Sequence, residues 1–453
     1  MGIAVYPDRG VGEGGTAFIR LQLSQQPPDF AHTELLYILG ESGAPRIEGR
    51  QAVIPCPCRP GEWNELWFDP AADVERLGLA GGLDNSLYNI YIGITDDDRG
   101  AGTVAYFDTL RLEPAKRGGA LLDELRQLTR SLTLRHAHHT GIEVSYYGHH
   151  INAFGANVPI PDYDAITSPL SSEDIVAHIH RWGGLACYNH PPTGGNRAAF
   201  LAALIESRVY GADLMEVAHG QGGLPERLHL WDRLGANGVV ITGIAANDTH
   251  SAQQGWQSFT VTGRQAPWVT HLWAESLAEE DMLTAMRLGH VYIADPHLFA
   301  GTLDITGPEE GMPFRMGDVV VVLAGQEEGH HTASYPYQYP PLTARLTGVQ
   351  PGDLVAWICD GHLVGASQVE KTAAPDSQSD SDSPSQAQGE GAWQCTWQPP
   401  AGLSGWHAVR IQLHRPSLVT TPFGGLIAVS NPVYFTNRPP ETTNGHRLIY
   451  MKI

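Results

Sequence analysis

Over residues 16–113 the apolar positions come in short stretches, at 17–23, 34–39, 52–54, 87–94 and 104–112, cut apart by Gly, Pro and Asp clusters. That spacing predicts an antiparallel β-sandwich. The period then changes. Leu121, Leu122, Leu125 and Leu128 recur at helical spacing, with charges between them, and predict a helix over 120–131. From 141 to 295 strand and helix alternate. Strands are expected at 142–147, 185–188, 214–217 and 239–244, and helices at 172–182, 198–207, 226–237 and 278–288. Such alternation predicts parallel βα units, in which ligand groups gather at the carboxyl ends of strands. Residues 300–437 return to a β pattern, and the Ser/Asp/Gln-rich stretch 371–391 reads as a disordered insert. The expected division is a β-sandwich over 1–114, a β/α metal-binding domain over 115–299 and a C-terminal β domain over 300–453.

Composition narrows the function classes. The 453 residues are 42% hydrophobic, enough for sizeable cores, and 51 Gly with 32 Pro favour a turn-rich protein. The formal charge of -21 repels phosphate backbones, so nucleic acid is not an expected partner. Five cysteines, among them the tightly spaced Cys56-Pro57-Cys58, make neither a disulfide framework nor a usual zinc knuckle. No apolar run approaches ~20 residues and no basic stretch leads into an apolar one at the start, so the expectation is a cytoplasmic protein without a spanning helix.

The candidate chemistry lies in four segments of the alternating region. In Gly141-Ile142-Glu143-Val144, Glu143 sits early in an apolar strand, and Gly148 offers a bend that brings His150 round towards it. In Leu185-Ala186-Cys187-Tyr188-Asn189-His190-Pro191 an apolar strand runs into His190, where Pro191 stops it. Leu214-Met215-Glu216-Val217-Ala218-His219 has the same strand-then-polar-tip form, and the segment either backs the ligands or faces the substrate, with a structural role equally open. In Gly243-Ile244-Ala245-Ala246-Asn247-Asp248-Thr249-His250, Asp248 and His250 are two apart and point the same way in an extended chain. A hydrogen-bonded structural histidine explains any one of these tips. Three histidines and two carboxylates delivered to strand ends are better explained as ligands for zinc, manganese or iron.

These segments resemble the polymerase and histidinol phosphatase (PHP) superfamily, in its carbaryl-hydrolase-like branch. That branch shows G-x-E-[VL]…G-H-x-N…G, then GG…NHP, then D-x-H, then G-x-[VF]-Y-[VI]. The chain has Gly141–Gly155, Gly183–Pro191, Asp248–His250 and Gly289-His290-Val291-Tyr292-Ile293, and Ser430-Asn431-Pro432-Val433-Tyr434 resembles the end of the branch's C-terminal β domain. The likeness spans about residues 120–437. It implies an incomplete or modified β/α barrel between the N-terminal sandwich and the C-terminal β domain, a multidomain α/β-plus-β architecture. It also implies one or two divalent ions (Zn, Mn or Fe), with Glu143 bridging and His150, His190, Asp248 and His250 as ligands. His149 is the alternative to His150. The chain departs from the family pattern at the start, where the barrel-opening His-x-His strand and the Asp-His strand are missing. His136-Ala137-His138-His139 contains a His-x-His, but only a few residues before Glu143.

The activity so implied is hydrolysis of a small-molecule phosphoester, carbamate, amide or ester by metal-activated water. His139 or His219 would protonate the leaving group. A different class of function also fits. Trp63 and Trp67 near Asp69, with Tyr88 and Tyr91, form a set of the kind that stacks on sugars. A degenerate metal centre beside such a sandwich would make a carbohydrate- or ligand-binding protein. The economical expectation is that these aromatics fill the sandwich core.

Overall fold

The structure is a computed structural model. It describes residues 1–11, 14–26, 31–79, 87–96, 102–113, 119–131, 141–145, 149–155, 158–161, 169–192, 197–219, 223–246, 248, 268–308, 313–323, 338–370, 392–418 and 425–452. Twenty-five strands and six α-helices lie among them. The chain divides into two compact units near residue 117.

The N-terminal unit has a five-stranded sheet, in the order Arg46–Glu48, Gln51–Cys56, Ala31–Leu39, Thr16–Gln26, Leu87–Thr95, and a three-stranded sheet of Asn64–Trp67, Gly2–Pro7 and Ala105–Arg111. Alternation decides what is buried. Ala17, Ile19 and Leu21 are on one face of their strand and, with Ile3, Val5, Leu35 and Tyr37, form a shared core. The expectation that the aromatics fill this core is corrected: Trp63, Trp67 and Tyr88 are more than half exposed, at 53%, 56% and 60%.

In the second unit a central sheet comprises β1 (Gly141–Val144), β2 (Ile151–Phe154), β3 (Leu185–Tyr188), β4 (Leu214–His219) and β5 (Thr242–Ala246), in the spatial order β5-β4-β3-β2-β1. Helix α1 (Ser172–Arg181) leads into β3, α2 (Arg197–Glu206) follows it, and α3 (Leu224–Ala236) joins β4 to β5. Ser171 starts α1 with a capping box: its hydroxyl accepts from the Asp174 N–H, and the Asp174 carboxylate accepts from the Ser171 N–H. Gly183, at φ +77, turns the chain out of that helix towards β3. The buried faces of the sheet and helices meet in one core, which includes Ile151, Ile175, Ile179, Tyr188, Met215, Leu228 and Trp231.

The expected β/α barrel, and with it the α/β-plus-β class, is overturned. Strands dominate the molecule and the central sheet is open. β3, β4 and β5 are parallel, but β1 and β2 pair antiparallel with each other, and β2 pairs antiparallel with β3. The edge of β5 is occupied in a specific way. At Gly243 and Ala245 its outer edge is hydrogen-bonded by side chains, and among the described residues no further strand pairs with it there. The Asn431 amide spans the N–H and C=O of Gly243 at 2.8 and 2.9 Å, and the Thr270 hydroxyl spans those of Ala245 at 2.9 and 3.0 Å. The chain beyond β5 then joins a mixed sheet, antiparallel except that Val319–Leu323 runs parallel to both its neighbours. Strands Val269–Leu272 and Val291–Ala294 belong to a nine-stranded sheet with Leu426–Ser430, His407–His414, Val433–Thr436, Val319–Leu323 and Leu448–Lys452 on its main path. That sheet has its own core around Trp357, Tyr339, Phe435 and Val320. Asn431 also donates to Val291 O at 2.8 Å, so one side chain joins the two sheets.

Candidate metal centre

Pairing register explains how Glu143 and His150 meet. They are seven residues apart, and on a single straight strand would face opposite ways. In the β1–β2 pair Glu143 stands opposite Asn152. Opposite residues share a face, and His150, two positions before Asn152, shares it too. His150 Nδ1 lies 2.8 Å from Glu143 Oε1. The Asn189 N–H donates to His150 O at 3.0 Å, which carries the end of β3 to the same place. His190 follows, with its Nε2 3.0 Å from His150 Nδ1.

A second group is built from β4. Glu216 and His219 are three apart and would oppose each other on a regular strand. The register shifts between Glu216 and Ala218, and this bulge turns His219 back to the Glu216 side. The His190 N–H donates to Glu216 Oε2 at 2.7 Å, and His190 Nδ1 is 3.4 Å from the same oxygen. Asp248, past the end of β5, places Oδ2 3.4 Å from His219 Nε2. Two sets therefore have all their ligand atoms within 4.8 Å of one another: Glu143, His150 and His190, and His190, Glu216 and His219. His190 belongs to both. The rings of His150, His190 and His219 follow one another at 4.8 and 5.4 Å between centroids.

The chemistry of this donor set fits divalent cations. Three carboxylates stand among three imidazoles, and Glu216 and His219 are almost wholly buried, at 2% and 4% exposed. Three carboxylates so close together, with Glu216 buried among them, call for a counter-charge. The arrangement already favours positive charge: the Glu216 carboxylate beside His190 raises the pKa of that ring. Burial lowers the pKa of His219, which keeps it neutral with a lone pair to offer. Asn189 Oδ1 is buried without a hydrogen-bond partner among the described residues. Oxygen and imidazole-nitrogen donors suit zinc, manganese or iron. His190 and Asp248 also carry left-handed backbones, at φ +25 and +48, a cost of order 1–3 kcal/mol each that is characteristic of functional positions.

The structure thus brings together Glu143, His150, His190, His219 and Asp248 of the sequence candidates. His250 and His139 lie outside the described residues. His149 goes elsewhere. Its Nδ1 is 3.1 Å from Ser172 Oγ and its Nε2 3.3 Å from Tyr210 OH, and the ring stacks on Tyr210 at 4.7 Å. Glu216 was not singled out by the sequence reading, because its offset of three from His219 hides a common face until the bulge is known. A third set, Cys359, Asp360 and His407, is of another kind. His407 donates Nδ1–H to Asp360 at 2.7 Å and Nε2–H to Ser404 O at 3.1 Å, and Asp360 raises its pKa. A ring that donates from both nitrogens has no lone pair for a metal.

No family model matches the chain, and no curated protein matches it. The solution NMR structure of the CARDB domain of a Pyrococcus furiosus protein shows 12% identity over 30% of this chain and 95% of that chain, with a TM-score of 0.17. At that score the likeness says nothing about fold or function. No helix among the described residues is long and apolar enough to cross a membrane.

Proposed function

We propose that the chain is a metal-dependent hydrolase of small-molecule esters, phosphoesters, carbamates or amides. The observation that carries this reading is the overlap of two donor groups at His190, which brings three carboxylates and three imidazoles to one place, a donor supply for one or two cations. A divalent ion bound there supplies Lewis acidity, polarising a carbonyl or phosphoryl oxygen and making water more acidic at neutral pH. Glu143, His150 and His190, whose neutral ring offers a single lone pair, would hold one position, and Glu216, His219 and Asp248 would hold the other or complete the first. The motif order is the one that resembles the PHP superfamily, and that kinship is part of the proposal.

In this reading His219 is a ligand, not the proton donor, because its Nε2 is directed at Asp248 within the donor group. Substrates whose leaving groups need no protonation are then served best. The Tyr210–His149 stack, adjacent to Tyr188, would stand as a wall at the side of His150.

The test is elemental analysis of protein purified without chelators, joined to initial rates on p-nitrophenyl acetate and bis(p-nitrophenyl) phosphate. A chelator should abolish the rates, and added zinc or manganese should restore them. Rates at the buffer background while metal stays bound would overturn the hydrolase reading.

A further inference from the structure

The three-stranded sheet of the N-terminal unit has one face in the core and one in solvent. Ile3 and Val5 point inward, at 4% and 0% exposed. Gly2, Ala4 and Tyr6 therefore point outward. Register places their neighbours on the same face: Trp67 and Arg111 opposite Gly2, Glu65 and Asp108 opposite Ala4, and Tyr106 opposite Tyr6. The Trp63 ring joins Tyr6 at 5.7 Å and the Tyr106 ring joins it at 6.1 Å. At the other end the Trp67 indole lies over Gly2, where a Cβ would come within 2.8 Å of the ring.

The outward face thus has two aromatic stations, Trp67 at one end and Tyr6, Trp63 and Tyr106 at the other. Between them are a floor of small side chains and a pair of carboxylates. Four residues of extended strand separate the stations by about 13 Å. Trp63, Trp67 and Tyr106 are all more than half exposed, an unusual concentration of aromatic surface in contact with water.

We infer that this face binds a neutral oligosaccharide. Indole and phenol faces take the C–H faces of sugar rings, and the separation of the stations calls for more than one ring. Glu65 and Asp108 accept hydrogen bonds from hydroxyls, while Arg111 donates to them. Charge settles the class of glycan. The face mixes both signs, and the chain carries -21 overall, which disfavours polyanionic polysaccharides. An apolar partner surface would leave the carboxylates of Glu65 and Asp108 buried and unpaired, whereas a polyol satisfies them. No residue of this face belongs to either donor group of the metal centre.

The experiment is affinity electrophoresis of the full chain in native gels containing, separately, xylan, mixed-linkage β-glucan, galactomannan or amylose, with anionic pectin as the contrast. Retardation by at least one neutral polymer is expected. Trp63→Ala with Trp67→Ala should abolish it, and Glu65→Gln with Asp108→Asn, which leaves the aromatics in place, should weaken it about tenfold or more. Metal content and p-nitrophenyl hydrolysis should be unchanged in both variants, so failure here is distinguishable from failure of the metal reading. Three results would each overturn the inference: no retardation by any neutral polymer, equal retardation in the double tryptophan variant, or retardation by pectin alone.

Discussion

The backbone N–H of His190 donates to the Glu216 carboxylate at 2.7 Å, across 26 residues of chain. This bond ties the residue just past the end of β3 to the middle of the neighbouring parallel strand β4 and holds a histidine whose backbone has a left-handed φ of +25. Glu216 is thus doubly engaged: one of its oxygens anchors the histidine that both donor groups share, and the same carboxylate belongs to the second group.

Glu216→Gln keeps an oxygen that can accept from the His190 N–H but removes the charge. It should fold, and its affinity for the more weakly held ion should fall about 10–100-fold. Glu216→Ala also releases His190 and should lower the content of both ions. Equilibrium dialysis with zinc and elemental analysis of the two variants would show this. Equal losses in Gln and Ala would argue against the anchoring role.

His190 and His149 separate a ligand from a neighbour. His190→Ala removes the nitrogen donors common to the two sets and should strip most of the bound metal. His149→Ala should leave metal content unchanged, since both of its nitrogens face Ser172 and Tyr210. Metal loss in His149→Ala matching that in His190→Ala would contradict the geometry.

Asp232 on α3 and Arg410 on the C-terminal sheet form a two-pronged ion pair, both contacts at 2.7 Å, with Arg410 only 2% exposed. Removing one partner strands the other's charge in a dry place. Asp232→Ala should cost about 3–5 kcal/mol, and Asp232→Leu with Arg410→Met together should cost less than either single change. Urea midpoints of the three variants decide it.

Burial holds His446 neutral, with its pKa lowered to about 4. The unfolded chain binds a proton at this ring at higher pH than the folded one does. Its contribution to stability is therefore complete above about pH 6.5 and is lost as the pH falls towards 4, a change of about 3 kcal/mol. Urea unfolding at about pH 7 and about pH 4.5 should show a smaller acid loss in His446→Gln than in the parent chain. Equal losses would place the acid sensitivity elsewhere.

Gly243 on β5 faces the Trp231 ring of α3, and a Cβ there would sit 2.6 Å from it. Gly243→Ala should push the strand from the helix, destabilise the unit by about 1–3 kcal/mol and loosen the approach to Asp248. Thermal unfolding together with metal affinity checks both effects, and an unchanged melting point would refute the packing argument.

Local pattern determined much of the central region. The strand expected at 185–188 is β3, and the helix expected at 172–182 is α1, ended by Gly183. Apolar runs stopped by polar residues and Pro191 make it legible that His190 and Asp248 stand at strand ends. These features are local, because burial sets the hydrophobic period and Gly and Pro set the breaks.

Partners are not local, and only the tertiary structure decided them. Hydrophobic period tells which face of a strand is covered, and is silent on which strand lies beside it. The antiparallel β1–β2 pairing that aligns Glu143 with His150, and the bulge that turns His219 back to Glu216, follow from hydrogen-bond register between strands. Asn431 and Thr270 take up the outer hydrogen bonds of β5, and Asn431 reaches it from 188 residues further along the chain. Backbone groups at a buried edge must be satisfied, and whatever satisfies them first in space ends the sheet.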